Sequence, residues 1–271
     1  MSSLGRGNRA ETVFAARELN VSFGGLTALE GVSVQVGDGE VLGVIGPNGA
    51  GKTTLFNVIC GFVRPASGTL EWQGEPLGRV RPSRLADLGI ARTLQGLGLF
   101  KGLTVVENVM AGAQRFRRGR VTSSLLGLPR SGRDERELRA RSLSVLGELG
   151  CEELAERLPE TLPYPVQKRV ALARALVAEP RLLLLDEPAG GLGADELPEL
   201  RELIDRLRGS MAVILVEHRM DLVMAACDRV TVLDFGRVIA DGDPESIVRD
   251  PAVLEAYLGA DAGAQARGSE A

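Results

Sequence analysis

Polar and apolar residues alternate in the first quarter of the chain, and the alternation indicates strands. Three valines there are separated by single residues: Val32, Val34 and Val36. A short apolar run, Val41 to Ile45, follows after a Gly-Asp-Gly turn at 37–39. A period of two is typical of half-buried strands, and a short apolar run is typical of a buried one. We therefore predict a sheet-rich segment from Thr12 to Gln73.

The spacing becomes helical between Ser83 and Leu158. Leucines recur among Glu and Arg at three- to five-residue intervals: Leu143, Leu146, Leu149 and Leu154. This pattern predicts a helical subdomain, which we place at 101–165.

The strand pattern returns in the second half of the chain. Two buried-type runs, Leu182 to Leu185 and Met211 to Val216, flank a helical segment from Asp195 to Arg208. Strands that alternate with helices are typical of a parallel sheet with crossover helices. The runs Arg229 to Leu233 and Val238 to Ala240 predict a closing hairpin. The fold class is therefore α/β.

Length and composition limit the function classes. The chain has 271 residues, 44% of them apolar and 25% charged, which suits one globular domain or a domain with a small appendage. The net charge of −4 gives no electrostatic case for nucleic-acid binding. The apolar runs are far shorter than the ~20 residues of a membrane helix. Residues 1–11 are mostly polar with two arginines, residues 259–271 are small and polar, and we expect both segments to be disordered tails.

The three cysteines, Cys60, Cys151 and Cys227, lie far apart in the sequence. Their spacing matches no metal-binding pattern, and an odd number of distant thiols does not build a disulfide framework. We expect a protein of a reducing cytosol.

A glycine-rich loop follows the run Val41 to Ile45 and precedes a helical segment, Thr54 to Cys60. It reads Gly46-Pro-Asn-Gly-Ala-Gly-Lys52-Thr53 and fits the phosphate-loop pattern, in the context that the pattern requires. Backbone N–H groups of such a loop converge on phosphate oxygens at a helix N-terminus. Lys52 would reach the β- and γ-phosphates, and the Thr53 hydroxyl would ligate Mg²⁺. The alternative is an ordinary turn with a surface lysine, which the strand and helix contexts disfavour.

Two carboxylates, Asp186 and Glu187, follow the run Leu182 to Leu185. They would emerge at the carboxyl end of a buried strand, where ligands of open α/β sheets bind. Asp186 could hold Mg²⁺ through water, and Glu187 could polarise the attacking water. A solvated acidic turn is the alternative, and the phosphate loop favours the catalytic interpretation.

Three further residues are candidates. His218, the only histidine, follows the second buried run and would emerge at the same edge as Lys52 and Asp186. An imidazole there could contact the γ-phosphate. The alternative is a structural role, which is more common for a lone histidine at a strand end. Gln95 could bind Mg²⁺ or the attacking water, or be an ordinary surface residue. Phe23 could stack on adenine or pack in the core.

In this order, these motifs resemble those of the ATP-binding subunits of ABC transporters, over roughly Leu19 to Gly259. The finer pattern is similar to the ATPase subunits of importers for branched-chain and other hydrophobic amino acids. The segments that carry this finer similarity are Phe23 to Ala28, Arg92 to Gln95, Leu99-Phe100 with Leu103 to Asn108, Glu217-His218 with Met220, and Pro251 to Gly259. A long insert at 111–143 also suits that branch.

The resemblance implies an ATP-binding domain at 12–258. Its RecA-like phosphate-loop core with an antiparallel β region would occupy 12–100 and 166–258. ATP and Mg²⁺ are the implied ligands. The implied catalytic residues are Lys52, Glu187 and His218. The implied Mg²⁺ ligands are Thr53, Gln95 and Asp186. The implied nucleotide-contacting residues are Phe23, Gly46, Asn48, Gly49, Ala50, Gly51, Lys52, Thr53, Thr54 and Gln95.

The chain departs from the family pattern in two loops. The family's signature loop, usually Leu-Ser-Gly-Gly-Gln, falls on Leu162-Pro-Tyr-Pro-Val166. Pro165 replaces a glycine whose N–H would meet the γ-phosphate held by the opposing subunit, and proline has no N–H. Pro163 replaces the serine, and Gly193 stands where the family has Asp or Asn. We expect an impaired signature half, and hence a heterodimer with one competent and one degenerate site.

The resemblance also implies partners and a location. We expect a second ATP-binding subunit of a different chain, integral membrane permease subunits and, indirectly, a solute-binding protein. The chain would lie at the cytoplasmic face of the membrane and power amino-acid uptake. The alternative is a soluble ATP-dependent switch with little hydrolysis; an export ATPase is disfavoured by the long insert. Nine arginines between Arg115 and Arg141 could contact lipid headgroups or membrane subunits, but we favour a solvated segment.

Overall fold

The computed structural model of the chain describes residues 11–93, 96–116 and 129–258. These residues divide into two units. The first unit is formed by two segments, the residues up to Pro82 and the residues from Leu197 onward. The second unit comprises Ser83–Glu196. None of the helices in the described ranges has the length and apolarity that crossing a bilayer requires. The tails predicted at 1–11 and 259–271 lie outside the described residues, apart from Glu11.

The first unit contains an antiparallel sheet and a set of mainly parallel strands. Its strands are β1 (Thr12–Phe23), β2 (Leu26–Gly37), β3 (Val41–Ile45), β4 (Ser67–Trp72), β5 (Glu75–Leu77), β8 (Ala212–Val216), β9 (Arg229–Asp234) and β10 (Arg237–Gly242). Its helices are α1 (Lys52–Ile59), α6 (Leu197–Leu207), α7 (Met220–Ala226), α8 (Pro244–Arg249) and α9 (251–258).

The antiparallel sheet has the strand order β2-β1-β4-β5. Apolar side chains of β1 and β2 form its core, with Phe14, Leu19 and Leu29 fully buried. The predicted sheet-rich beginning of the chain is therefore confirmed.

In the same unit, β3 lies between β8 and β9 and runs parallel to both, while β10 is antiparallel to β9. Every residue of β3 and β8 is buried, as expected for strands covered on both faces. The predicted strand Val41 to Ile45 and the closing hairpin are confirmed. The phosphate loop and Glu217 leave the carboxyl ends of two neighbouring parallel strands.

Within the residues that the structure describes, the second unit has two short strands and four α-helices. They are α2 (Leu85–Leu88), β6 (Ile90–Arg92), α3 (Val105–Gly112), α4 (Pro129–Glu148), α5 (Tyr164–Leu176) and β7 (Leu182–Asp186). Helices α3, α4 and α5 pack together, with Leu146 and Val109 buried among them. β6 runs parallel to β7 and pairs Ile90 with Leu182.

The helical segment that we predicted from Ser83 onward begins with a helix, α2, but the prediction is wrong at Ile90–Arg92, which is a strand. Three residues are too few to show a period of two, and only the pairing with β7 makes this segment extended. From Val105 onward the segment is helical as predicted, within the residues described.

Candidate functional site

The backbone of the phosphate loop depends on two glycines where no other residue fits. Gly46 has φ +146°, and a Cβ there would lie 2.0 Å from the carbonyl oxygen of Leu233. Gly51 has φ +104° and directly precedes α1, and a Cβ there would lie 2.6 Å from the carbonyl oxygen of Ala28. The close neighbours of these glycines fix the path of the loop from β3 into α1.

The middle of the same loop is open. Gly49 has φ +85°, and no atom lies within 4 Å of a Cβ built on it. Asn48 and Thr53 are exposed, whereas Ala50 is buried and Thr54 half-buried. The first turn of α1 contributes N–H groups that have no acceptor within the helix. An open glycine beside such N–H groups suits a bound anion such as a phosphate.

Lys52 is the first residue of α1, and its side chain folds back over the loop. Its Nζ donates hydrogen bonds to the carbonyl oxygens of Gly46 (2.6 Å) and Pro47 (2.8 Å). Only 8% of the residue is exposed. The ammonium group is thus held within the loop, where the sequence pattern predicts contact with phosphates.

Glu217 and His218 follow β8, whose Val216 pairs with Val44 of β3. His218 and the phosphate loop therefore leave the same edge of the parallel strands in this unit. The His218 side chain is 58% exposed, and its Nδ1 lies 3.7 Å from a carboxylate oxygen of Glu217. Glu217 has no exposed surface and accepts hydrogen bonds from the N–H groups of His218 (3.0 Å) and Arg219 (3.3 Å). Sequence reasoning gave Glu217 no role, although a carboxylate directly after a buried strand is a usable signal.

Phe23 ends β1 and is 51% exposed. This exposure contradicts the core-packing alternative. The ring therefore remains available for contact with a flat ligand.

In the second unit, Asp186 is the last residue of β7, and its side chain is 2% exposed. One carboxylate oxygen accepts a hydrogen bond from the guanidinium of Arg92, at 2.6 Å. The hydroxyl of Thr93 accepts from the Asp186 N–H at 3.3 Å. β6 and β7 are parallel, so the segment after β6, which leads toward residue 95, begins at the edge where Asp186 lies. Gln95 itself lies outside the described residues.

Glu187 is half-buried and has φ +48°, which lies in the left-handed region that residues other than glycine rarely adopt. Its carbonyl oxygen accepts from the Gly190 N–H at 3.0 Å, closing a turn directly after β7. Lys168 reaches this turn from α5, and its Nζ donates to the carbonyl oxygen of Pro188 at 2.6 Å. Sequence reasoning missed Lys168, although it is one of only three lysines in the chain.

The departures from the signature pattern fall on the beginning of α5. Pro163 caps this helix and Pro165 is its second residue. The Pro163 carbonyl accepts the N–H of Gln167 at 3.0 Å, while the side chain of Gln167 donates to the Leu162 carbonyl at 2.8 Å. Proline is well accommodated in a first helical turn, so the helix forms, but position 165 has no N–H for a ligand.

Comparison with known families gives two matches. Residues 29–190 match the model described as ABC transporter, and residues 237–263 match the model described as branched-chain amino acid ATP-binding cassette transporter. The first match covers more than half of the chain.

Full-length relatives and solved structures agree with these matches. The high-affinity branched-chain amino acid transport ATP-binding protein BraF of Pseudomonas aeruginosa is 40% identical over 89% of this chain and 95% of its own length. The corresponding LivG protein of Escherichia coli is 38% identical over 92% of this chain and 99% of its own. An ATP-binding cassette of an ABC transporter in its ADP conformation matches with a TM-score of 0.79 and 29% identity, over 92% of this chain and 99% of that structure.

Proposed function

The chain belongs to the family of ABC transporter ATP-binding proteins, which are ATPases, and we propose that it energises the import of branched-chain amino acids. The observation that carries ATP binding is the phosphate loop, in which the glycines fix the backbone path and Lys52 lies over the loop. The amino-acid class is supported by the match at 237–263 and by relatives at 38–40% identity whose names state that substrate.

Within this proposal, the candidate site residues of the first unit have the following roles. The N–H groups around Gly49 and Gly51 bind phosphate oxygens. When ATP binds, the Lys52 ammonium group gives up its hydrogen bonds to the loop carbonyls and contacts the β- and γ-phosphates instead. Phe23 stacks on the adenine, which its half-exposed ring permits. His218 contacts the γ-phosphate, and the buried Glu217 orients it by holding the backbone of His218 and Arg219.

In the second unit, Glu187 orients and polarises the water that attacks the γ-phosphate, and Asp186 holds Mg²⁺ through water. The donor types fit Mg²⁺, which prefers oxygen ligands and uses one or two carboxylates together with waters and substrate phosphates. No group of three or more His, Cys, Asp or Glu side chains that could hold a metal ion occurs among the described residues. When bound, Mg²⁺ neutralises charge on the transferred phosphoryl group. Thr53 and Gln95 complete the proposed ligand set.

The proposed partners follow from membership in a transport family. The chain would lie at the cytoplasmic face of the membrane against integral permease subunits, with a solute-binding protein on the other side. It would pair with a second ATP-binding subunit of a different chain. The support for a heterodimer is position 165, where α5 offers no N–H to a nucleotide held by the partner.

The proposed function is tested on the transporter assembled in lipid vesicles, by measuring ATP hydrolysis and the uptake of labelled leucine, isoleucine and valine. We expect both activities in the wild type and neither with Glu187→Gln, whereas Glu153→Gln, an exposed glutamate of the second unit, should retain both. Hydrolysis without amino-acid uptake would contradict the substrate class. Undiminished hydrolysis with Glu187→Gln would contradict the catalytic role of Glu187.

The heterodimer has its own test. The double variant Pro165→Gly with Val166→Gln restores the family residues, and we expect a higher ATPase rate in the assembled complex. Pro163→Ser serves as a comparison, because it returns a hydroxyl and an N–H group at position 163 but leaves position 165 without an N–H group. An unchanged rate in the double variant, or a purified complex that contains two copies of this chain, would contradict the proposal.

A further inference from the structure

The ammonium group of Lys168 holds the turn that carries Glu187. Its Nζ lies 2.6 Å from the carbonyl oxygen of Pro188 and 3.4 Å from that of Glu187. The same group lies 5.5 Å from the centre of the Tyr164 ring, one helical turn earlier on α5. Lys168 therefore joins the beginning of α5 to the two residues that follow β7.

A second contact joins the same two segments. Gly191 has φ +74°, and a Cβ on it would lie 2.8 Å from the Tyr164 ring. Tyr164 thus packs directly on the backbone of Gly191, while Lys168 holds the carbonyls of residues 187 and 188. The turn is held at both of its ends by side chains of α5.

The backbone of this turn needs such support. The left-handed conformation is strained for a residue other than glycine, and Glu187 adopts it with φ +48°. Strained conformations of this kind persist where the surrounding structure over-determines them, and they are common at active sites. A cation that binds two consecutive carbonyls favours one orientation of the two peptide planes and so stabilises the turn.

We propose that Lys168 is a positioning residue for hydrolysis: it fixes the left-handed turn at Glu187 and thereby the direction of the catalytic carboxylate. This inference rests on the proposed role of Glu187. In this role Lys168 acts on the reaction through the backbone of residues 187 and 188. Its removal should therefore slow the chemical step and leave nucleotide affinity nearly unchanged. A displacement of about 1 Å at a catalytic group can lower a rate by about 100-fold.

The test measures kcat and KM for ATP in the assembled transporter, with Lys168→Met as the main variant. We expect kcat to fall at least about tenfold, because the carboxylate is misdirected, while KM stays within about threefold of the wild-type value. Lys168→Arg keeps a cationic donor on a long side chain and should recover most of the kcat. Lys101→Met is the matched control, since Lys101 is an exposed lysine of the same unit, and it should change neither constant.

The thermal midpoint of each variant separates positioning from loss of folding. If Lys168→Met is unfolded, Lys168→Gln takes its place, because the glutamine amide is shorter and cannot hold both carbonyls. A rise in KM with unchanged kcat, a kcat equal to that of Lys101→Met, or no recovery with Lys168→Arg would overturn the proposal. Full activity of Glu187→Gln would instead contradict the proposed catalytic role itself, so the two failures are distinguishable.

Discussion

The guanidinium of Arg92 lies 2.6 Å from the carboxylate of Asp186, and the two side chains are 11% and 2% exposed. Removing one partner of a buried ion pair leaves an uncompensated charge, which costs about 3–5 kcal/mol. Arg92→Met should therefore lower the free energy of unfolding by about 3 kcal/mol, as measured by urea denaturation of the full chain.

The control for this prediction is Arg84→Met. Arg84 lies 3.9 Å from Asp87, and both side chains are well exposed. Surface pairs of this kind contribute about 0–1 kcal/mol, so this variant should resemble the wild type. Equal destabilisation by the two variants would show that the buried pair has no special weight in the stability of the protein.

The two glycines of the phosphate loop should differ in their tolerance of alanine. At Gly46 the methyl group would lie 2.0 Å from a backbone carbonyl, so the loop or β9 must move. At Gly49 the space is open, and only the left-handed backbone opposes a side chain. We expect Gly46→Ala to cost about 3 kcal/mol by overpacking and Gly49→Ala about 1 kcal/mol by backbone strain. Urea denaturation without nucleotide measures both, and equal losses would contradict this account.

The elements that were predicted well are those whose signal is local. β3 begins at Val41 and ends at Ile45 as the apolar run does, and the strand after it in the parallel arrangement, β8, begins one residue after Met211. These runs are bounded by glycine, serine or charged residues, and a short apolar run of this kind is a sufficient signal for a strand that is buried on both faces. The phosphate loop was also predictable, because its pattern specifies backbone geometry as well as chemistry.

The parts that were missed depend on residues distant in the sequence. β6 is extended because Ile90 pairs with Leu182. Arg92 forms its ion pair with Asp186, which lies 94 residues later in the sequence. Lys168 was unassigned because the carbonyls that it binds are 19 and 20 residues away and carry no side-chain signal. Sequence reasoning therefore identified the groups expected to react, but not the neighbours that hold them in position.

The beginning of α3 makes a pH-dependent contribution to stability. Thr104 and Glu107 form a capping box, in which the Glu107 carboxylate accepts from the Thr104 N–H at 2.7 Å. Hydrogen bonds from the Thr104 N–H and then from its hydroxyl lower the pKa of Glu107. A carboxyl group whose pKa is lowered by folding stabilises the fold above its unfolded pKa, and this contribution is lost as the pH falls through the folded value.

Glu107→Gln should therefore be less stable than the wild type at pH 7, and the difference should shrink as the pH is lowered below about 4. Urea denaturation at the two pH values measures this change. Thr104→Ala, which removes the other half of the box, should cost about 1 kcal/mol, and Thr104→Ser should cost little. A difference for Glu107→Gln that is equally large in acid would show that the charge of Glu107 plays no part.

The thiol of Cys227 should be inert in the folded protein. Burial, with a smaller effect from the neighbouring charge of Asp228, raises the pKa of Cys227 to about 12. The sulfur also packs against the backbone of Gly43, where a Cβ would lie 2.9 Å from it. Because the thiolate is the species that alkylates, only about one molecule in 10,000 has a reactive Cys227 at pH 8. Cys60 and Cys151 are buried as well.

Iodoacetamide at pH 8 should therefore label none of the three cysteines quickly in the native chain, and all three once urea unfolds it. Intact-mass measurements over time count the labelled thiols, and peptide mapping assigns them. Lowering the stability with Arg92→Met should speed labelling in proportion to the unfolded fraction, whereas Arg84→Met should not. Rapid labelling of Cys227 in the native wild type would show that β3 and α7 are packed less tightly than the structure has them.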